Sequence, residues 1–161
     1  MNWILIVILI LIIGIGVLTF FIVRSAVVPQ RIEVLEGLLR KGKTQIVIKA
    51  AKRLINKNSR NAEAHYYLGL AYLAEQRIEY AIEEFKIVNK LGISGKNIPE
   101  PEFRQKLAQL FSSQNQHEEA LKEYLMLIKL SPKTGEYYYL AGKLFSSRNR
   151  ADLAEQYQPE P

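Results

Sequence analysis

The chain has 161 residues and carries 22 Lys or Arg against 16 Asp or Glu, a formal net charge of +6. This length corresponds to about one domain. Cysteine is absent, which excludes a disulfide framework, a thiol nucleophile and a cysteine-based zinc site. Residues 1–23 hold no charged side chain, residues 24–60 carry ten basic and two acidic residues, and residues 62–161 carry twelve basic and fourteen acidic residues. The basic excess therefore lies beside the N-terminal segment.

The N-terminal residues form an apolar run that is long enough to cross a bilayer. Every residue of Trp3–Val23 is apolar or nearly so, and a helix of that length spans about 30 Å. No positive side chain precedes the run and Ser25–Ala26 is a poor cleavage site, so an uncleaved anchor is favoured over a signal peptide. We expect residues 1–27 to be a transmembrane anchor, with the membrane span at residues 3–23.

Basic residues crowd the C-terminal flank of this run and none precedes it. The positive-inside bias then places the rest of the chain in the cytoplasm. The expected location is the cell (inner) membrane, with a single pass. Near an anionic leaflet each basic residue contributes about 1 kcal/mol of attraction. The residues expected to face lipid are Arg24, Arg31, Lys49, Lys52 and Arg53.

Residues 62–91 have the pattern of two helices joined by a short polar turn. Gly69 and Tyr72 lie on one stripe of the first helix, and Ala81 and Phe85 recur at helical spacing in the second. A helix pair of this kind cannot bury both of its faces alone. Further copies of the pair are therefore expected on either side.

The same spacing recurs along the chain. Gly69 corresponds to Ala108 in the next copy, and Ala108 corresponds to Gly142 in the one after that. The first of these two intervals is the longer, and an insertion at residues 96–100 accounts for the difference. Counting back one repeat length from Gly69 gives a more diverged copy, in which Leu35 occupies the position of the small residue.

The pattern L-G-x-x-Y followed by A-x-x-x-F resembles the tetratricopeptide repeat, a helix-turn-helix unit. In that family the small residues let the two helices of a hairpin approach closely. Together with the apolar run, the resemblance implies an all-α chain: an N-terminal transmembrane helix followed by an α-solenoid of about 3.5 helix-turn-helix repeats. The expected repeats are 28–61 (diverged), 62–95, 101–134 and, as a partial repeat or C-terminal cap, 135–161.

The fourth copy stops early. Its second helix is expected at about residues 150–157, and Gln158 stands where an aromatic residue belongs. Arrays of this family usually close with a polar-faced capping helix. The polar segment here fits such a cap, and the alternative is self-association through an uncapped, apolar C-terminal end.

The resemblance implies that the first helices of the hairpins line a concave groove, so partner binding is expected there. Such a groove would be apolar near the membrane and polar, partly cationic, further along. It would suit a peptide or an amphipathic helix of a partner protein, which makes the chain an interaction scaffold, with envelope or membrane-complex assembly as its expected setting. The alternative is that the apolar residues only pack against neighbouring repeats. The expected partner-binding residues are Ile32, Leu39, Tyr66, Leu70, Leu73, Lys106, Tyr139 and Lys143.

Some members of this family bind C-terminal carboxylates through paired Lys and Asn side chains on successive first helices. The corresponding positions here hold Ile32, Glu36, Tyr67 and Lys106. Only Lys106 fits that pattern, so this property is not carried over.

The segment Gly37–Thr44 matches the phosphate-binding pattern G-x-x-x-x-G-K-[ST]. That loop requires a preceding strand and an acidic residue for magnesium, and the only aspartate, Asp152, lies in a polar segment. A turn at Gly42 between two helices is therefore favoured. Nucleotide binding through Gly37–Thr44 is a remote alternative function.

Binding of anionic lipid or of nucleic acid by the basic stretch is a nearer alternative. Nucleic acid is the weaker of the two, because no aromatic interleaving or recognised motif accompanies the charges. His65, which stands where the repeat family prefers Trp, and His117 are the only histidines. Because they do not form a pair at ligand spacing, no metal, cofactor or catalytic residue is expected.

Overall fold

The computed structural model describes residues 2–26, 32–93 and 97–147, together with Tyr157. Within those residues the chain is helical and no strand occurs. The prediction of an all-α chain is confirmed. The helices are α1 (Asn2–Ala26), α2 (Glu33–Arg40), α3 (Thr44–Lys57), α4 (Ala62–Ala74), α5 (Ile78–Leu91), α6 (Glu100–Ser113), α7 (His117–Leu130) and α8 (Gly135–Ser147).

Helices α2 to α8 form a stack of helical hairpins. Helix α2 pairs with α3, α4 with α5 and α6 with α7, while α3 also packs on α4 and α7 on α8. Contacts between α5 and α6 are sparse by comparison. The predicted second helix of the fourth repeat lies outside the described residues except for Tyr157, and so does the C-terminal end at which self-association was expected.

Helix α1 stands apart from this stack. It contacts none of the other described helices. Its segment Trp3–Phe20 has 18 residues, a mean hydropathy of 3.1 and no buried residue. By length and composition this is the one described helix able to cross a membrane, a property that an anchor and a signal sequence share.

The turns within the hairpins repeat one backbone geometry. Gly42, Gln76 and Asn115 all have positive φ, at 68°, 59° and 56°, and they occupy equivalent positions of successive repeats. In the second hairpin the residue after the turn, Arg77, donates its N–H to the carbonyl of Tyr72 at 2.9 Å, which closes the helix end. The repeat register therefore extends through all three turns, including the turn of the diverged first copy.

The helices of the second hairpin meet at Gly69. A Cβ atom placed there would lie 2.5 Å from Cε1 and 2.7 Å from Cδ1 of Phe85, whose side chain is fully buried. Only a residue without a side chain leaves room for this ring. The small-residue position predicted from the sequence thus has a direct packing role.

A polar contact links the two helices of each complete hairpin downstream of α3. In one hairpin His65 Nδ1 lies 2.6 Å from Glu84 Oε2, and in the next Arg104 Nη1 donates to Glu123 Oε2 at 2.8 Å. The two contacts span the same separation along the chain, and His65, Arg104 and Glu123 are all buried. The pairs occupy equivalent repeat positions, so they act on the same part of each hairpin.

Further hydrogen bonds surround the Arg104–Glu123 pair. Arg104 Nε donates to Glu100 Oε1 at 2.8 Å, and Asn89 Nδ2 donates to Glu123 Oε1 at 2.9 Å. Because Asn89 belongs to α5, this network ties the second hairpin to the third. Burial alone would lower the pKa of Arg104, but its hydrogen bonds and charge interactions with Glu123 and Glu100 outweigh burial and raise it.

The insertion before α6 is held by specific contacts. Asn97 donates both its backbone N–H and its side-chain Nδ2 to Glu63 Oε1, each at 3.1 Å. Ile98 is buried in the core, and α6 begins shortly afterwards at Glu100, following Pro99. Asn97 and Ile98 thus attach the segment before α6 to α4 and to the core.

The close contact at Gly69 predicts that Gly69→Ala destabilises the fold. The added methyl group must displace Phe85, and overpacking of this kind costs about 1–3 kcal/mol of unfolding free energy. The matched control is Gly37→Ala in α2, where a Cβ atom would meet nothing within 4 Å. That change should stabilise by up to about 1 kcal/mol through helix propensity. Denaturant unfolding followed by circular dichroism compares the two, and equal effects would contradict the packing role.

Candidate functional site: the groove side of the first helices

The repeat resemblance implies that the first helices of the hairpins form the groove side of the stack, and in this chain these helices are α2, α4, α6 and α8. Helices α2 and α4 contact each other directly. The backbones of α4 and α6, and those of α6 and α8, do not come as close within the described residues, and side chains such as Tyr66 and Phe103 bridge the space between α4 and α6. The interval between first helices therefore widens after α4, and different side chains occupy the space on either side of α6.

Tyr66, predicted to bind a partner, lies inside the protein. It is 6% exposed, and its ring centroid lies 5.3 Å from that of Tyr67, 6.1 Å from Phe85 and 6.0 Å from Phe103. This aromatic cluster fills the space between α4 and α6. The alternative interpretation, packing between repeats, applies to Tyr66, and this residue is removed from the proposed binding surface.

The other apolar groove residues are incompletely covered. Leu70 and Leu73 on α4, and Ile32 and Leu39 beside or on α2, are half-buried and pack against the core. Each leaves part of its apolar surface on the outside of the stack. They form the apolar part of the candidate site.

The polar part of the groove lies on α6 and α8. Lys106 is half-buried, while Lys143 is exposed and Tyr139 is 56% exposed. Tyr139 and Lys143 are at positions i and i+4 of α8, so they share one face of that helix. An exposed aromatic ring beside a cation is a surface that can bind a peptide through apolar contact and charge together.

The predicted lipid-facing residues lie on a different element. Lys49, Lys52 and Arg53 are exposed on α3, the second helix of the first hairpin. The Lys52 ammonium lies 5.9 Å from the centroid of the Tyr72 ring. Of the remaining two residues in the prediction, Arg24 belongs to the end of α1 with its side chain outside the described part, and Arg31 lies outside the described residues.

The segment Gly37–Thr44 does not form a phosphate-binding loop. Its first four residues end helix α2, Gly42 makes the turn and Thr44 begins α3, so a helix stands where the loop requires a strand. The Thr44 hydroxyl, the group that would bind magnesium, donates to Glu75 Oε1 at 3.0 Å. The predicted turn is what the structure shows. Within the described residues no group of three or more His, Asp or Glu side chains is placed to hold a metal ion.

A cavity that the sequence analysis did not identify lies between α6, α7 and α8. It has a volume of about 330 Å³, and Lys143 is one of its lining residues. Gln109, Ser112 and His117 line it as well. The available sequence signal was the change from apolar to polar residues at equivalent positions of successive repeats.

The structure defines an α-solenoid of helical hairpins, a class of protein that commonly presents extended surfaces to other proteins. Residues 36–90 match the family model described as the tetratricopeptide repeat. This match, together with the helical-hairpin fold, supports the resemblance to the tetratricopeptide repeat family that the L-G-x-x-Y and A-x-x-x-F spacing predicts.

Solved structures with the same fold include two of MamA and one further repeat protein. A MamA crystal structure is 22% identical over 84% of this chain and 78% of that chain, with a TM-score of 0.63. MamA 41-end from Desulfovibrio magneticus is 17% identical over 78% of this chain and 68% of that chain, with a TM-score of 0.60. A tetratricopeptide repeat protein from Parabacteroides merdae is 19% identical over 78% of this chain and 48% of that chain, with a TM-score of 0.61. Among curated proteins no match was found.

Because Tyr67 is buried, we predict that the folded protein loses stability at high pH. Burial raises the pKa of Tyr67 to about 12, and Glu36, Tyr66 and Glu63 add to the increase while Arg40 opposes it. Because folding favours the neutral phenol, its stabilisation is complete below the ordinary pKa of about 10 and is lost as the pH rises toward about 12. Denaturant midpoints measured across that range should fall with pH. They should fall less steeply in Tyr67→Phe, and identical slopes would contradict the assignment.

Proposed function

We propose that the protein is a membrane-tethered scaffold that holds a peptide or an amphipathic helix of a partner protein in the groove formed by α2, α4, α6 and α8. The observation that carries this proposal is the uneven burial of the groove side. Tyr66 is covered by its neighbours, whereas Leu70 and Leu73 on the same helix are only partly covered and Tyr139 is 56% exposed. Apolar surface of this kind on a folded protein is often a binding site.

The chemistry of the groove restricts the occupant. Near α2 and α4 the incompletely buried side chains are Ile32, Leu39, Leu70 and Leu73, whereas α6 and α8 contribute lysines. An amphipathic helix would place its apolar face on the leucines, and acidic residues at one end would meet the lysines. The proposed partner is therefore a peptide with an apolar segment and an acidic end.

Helix α1 supplies the proposed tether. Its side chains from Trp3 to Phe20 are apolar or small and none is buried, so the helix lacks the polar face that a water-exposed helix carries. A lipid environment would cover all of its sides. With basic residues following the helix, the repeats are proposed to lie in the cytoplasm at the cell (inner) membrane, where the scaffold would support the assembly of a membrane or envelope complex.

Retention of α1 distinguishes the anchor from a cleaved signal sequence. If α1 is an anchor, intact mass measurement of the membrane-extracted protein will include the residues of the apolar run, and carbonate washing will leave the protein in the membrane. A mature chain beginning after Ala26 would overturn the tether. That result would not affect groove binding, which the crosslinking experiment below tests separately.

Two tyrosines offer a matched test of the groove. Tyr139 on α8 and Tyr80 on α5 are each 56% exposed, but only Tyr139 belongs to a first helix. A photo-crosslinking residue in place of Tyr139 in the full-length protein should give a discrete adduct with a partner in native membranes. The same residue in place of Tyr80 should give none. Adducts at Tyr80 alone would move the binding surface to the second helices.

The apolar end of the groove is tested in the same assay. Leu70→Gln introduces the residue found at the equivalent position of the next repeat, Gln109, and should reduce the adduct formed at position 139. Ile87→Gln, at a residue of α5 that is 36% exposed, is the control and should leave the adduct unchanged. Equal yields in both variants would show that Leu70 does not contact the partner.

Docking of the first hairpin on anionic lipid is a second candidate function, favoured by the exposure of Lys49, Lys52 and Arg53 on one helix. In nanodiscs, phosphatidylserine should lower the acylation rate of Lys49 and Lys52, and salt should reverse the effect, because surface attraction is screened. Lys129 on α7 is the control and should react at one rate in neutral and anionic discs. If Lys49 and Lys52, like Lys129, react at the same rate in neutral and in anionic discs, the docking surface is excluded.

A further inference from the structure

The cavity between α6, α7 and α8 occupies the polar end of the groove. Gln109 and Ser112 contribute from α6, His117 and Tyr124 from α7, and Leu140, Lys143 and Leu144 from α8. Its volume of about 330 Å³ is at the lower end of the range for small-molecule pockets, which makes it too small for a helix but large enough for one side chain.

Comparison with the preceding repeat shows how the cavity arises on α6. In the register that aligns Ala108 with Gly69, Gln109 corresponds to Leu70 and Ser112 corresponds to Leu73. Both leucines are half-buried and pack against the core. On α6 the same two backbone positions carry a polar amide and a small hydroxyl, so the apolar volume that fills this space in the second repeat is missing in the third.

The same register relates the positions on α7 to those on α5. His117 corresponds to Ile78, and Tyr124 corresponds to Phe85. Ile78 packs against the core and Phe85 is fully buried. Four positions that are apolar around one inter-repeat space are thus all polar around the next. A concerted change of this kind creates a hydrogen-bonding pocket rather than an isolated packing defect.

The polar groups of the pocket favour an anion. The lining residues include Lys143 and contain no Asp or Glu. His117 Nδ1 is buried, and it has no hydrogen-bond partner among the described residues. A buried polar atom of this kind is costly unless a hydrogen-bond partner such as water or a ligand satisfies it.

Tyr124 adds a neutral hydroxyl to this set. Burial raises its pKa, a hydrogen bond with Ser112 lowers it, and the nearby charge of Glu136 raises it; the net effect is an increase. The phenol therefore stays protonated at neutral pH and does not place a competing negative charge in the pocket.

We infer that this pocket receives one acidic side chain, Asp or Glu, from the peptide bound in the groove. A carboxylate accepts hydrogen bonds only, and both the Lys143 ammonium and His117, in the tautomer that carries its N–H on Nδ1, can donate to it. The inference rests on the proposed function, because it specifies one residue of the groove-bound peptide. It assigns specificity to the junction of α6, α7 and α8, whereas the leucines of α2 and α4 supply general apolar contact.

The test uses the full-length protein in nanodiscs and a phage-displayed library of random peptides. Peptides selected on the unaltered protein should share an Asp or Glu at one fixed position, and replacing that residue by Asn or Gln should weaken binding about tenfold. Lys143→Gln should return the acidic residue to its library frequency at that position. Lys129→Gln removes a lysine from the outer side of α7 and should leave the selection unchanged.

A second variant closes the pocket instead of neutralising it. Gln109→Leu/Ser112→Leu/His117→Ile restores the residues that fill the equivalent space of the preceding repeat. It should retain the helical circular dichroism signal and a cooperative unfolding transition, and it should select peptides without the acidic preference. Because the filled space already exists in the second repeat, this variant separates loss of the pocket from loss of the fold.

The outcomes distinguish failure of the acidic-residue preference from failure of groove binding. If the unaltered protein selects peptides with no acidic preference, or if Lys143→Gln and the pocket-filled variant keep that preference, the inference is overturned while groove binding stands. If the unaltered protein enriches no peptide above the empty-nanodisc background, groove binding itself fails. A preference for acidic residues that only the pocket variants lose supports the inference.

Discussion

The array depends on how closely the two helices of each hairpin approach, because that distance decides which residues the next hairpin can cover. At the centre of the contact Gly69 faces the ring of Phe85, and no side chain fits between them. The equivalent residue of the third hairpin, Ala108, is fully buried. In the first hairpin Leu35 takes the position of Gly69 and Ala51 takes the position of Phe85, and both are fully buried. A larger residue is accommodated there, so the diverged copy keeps its place in the stack.

Polar pairs between the two helices of a hairpin also favour one alignment of those helices. The His65–Glu84 and Arg104–Glu123 contacts join equivalent positions of successive hairpins, where the family prefers a large aromatic residue on the first helix. Buried ion pairs contribute little net stability, but they penalise any arrangement that leaves one partner unpaired. They therefore favour one alignment of the two helices. At the equivalent positions of the following repeat an aromatic pair takes this place, with the ring centroids of Tyr138 and Tyr157 6.3 Å apart.

Differences between the repeats, more than the shared fold, carry the functional information. Solved repeat structures with 22% identity or less show that this backbone accommodates very different sequences. Function then resides in the side chains that one repeat has and another lacks. The space behind α4 is closed by leucine, isoleucine and phenylalanine, whereas the space behind α6 is open and combines polar side chains with Leu140 and Leu144. One end of the groove is suited to apolar contact and the other to hydrogen bonding and charge.

The sequence by itself determined the helical hairpins, the interval at which they recur and the apolar character of α1. These features follow from local periodicity and from contacts that recur at a fixed distance along the chain. The insertion at residues 96–100 was also visible, but its effect on packing was not. Only the tertiary structure decided that Tyr66 is buried against Phe103 and that Gln109, Ser112 and His117 surround a cavity. Both outcomes depend on the distance and angle between neighbouring hairpins, which long-range contacts set and which no local pattern encodes.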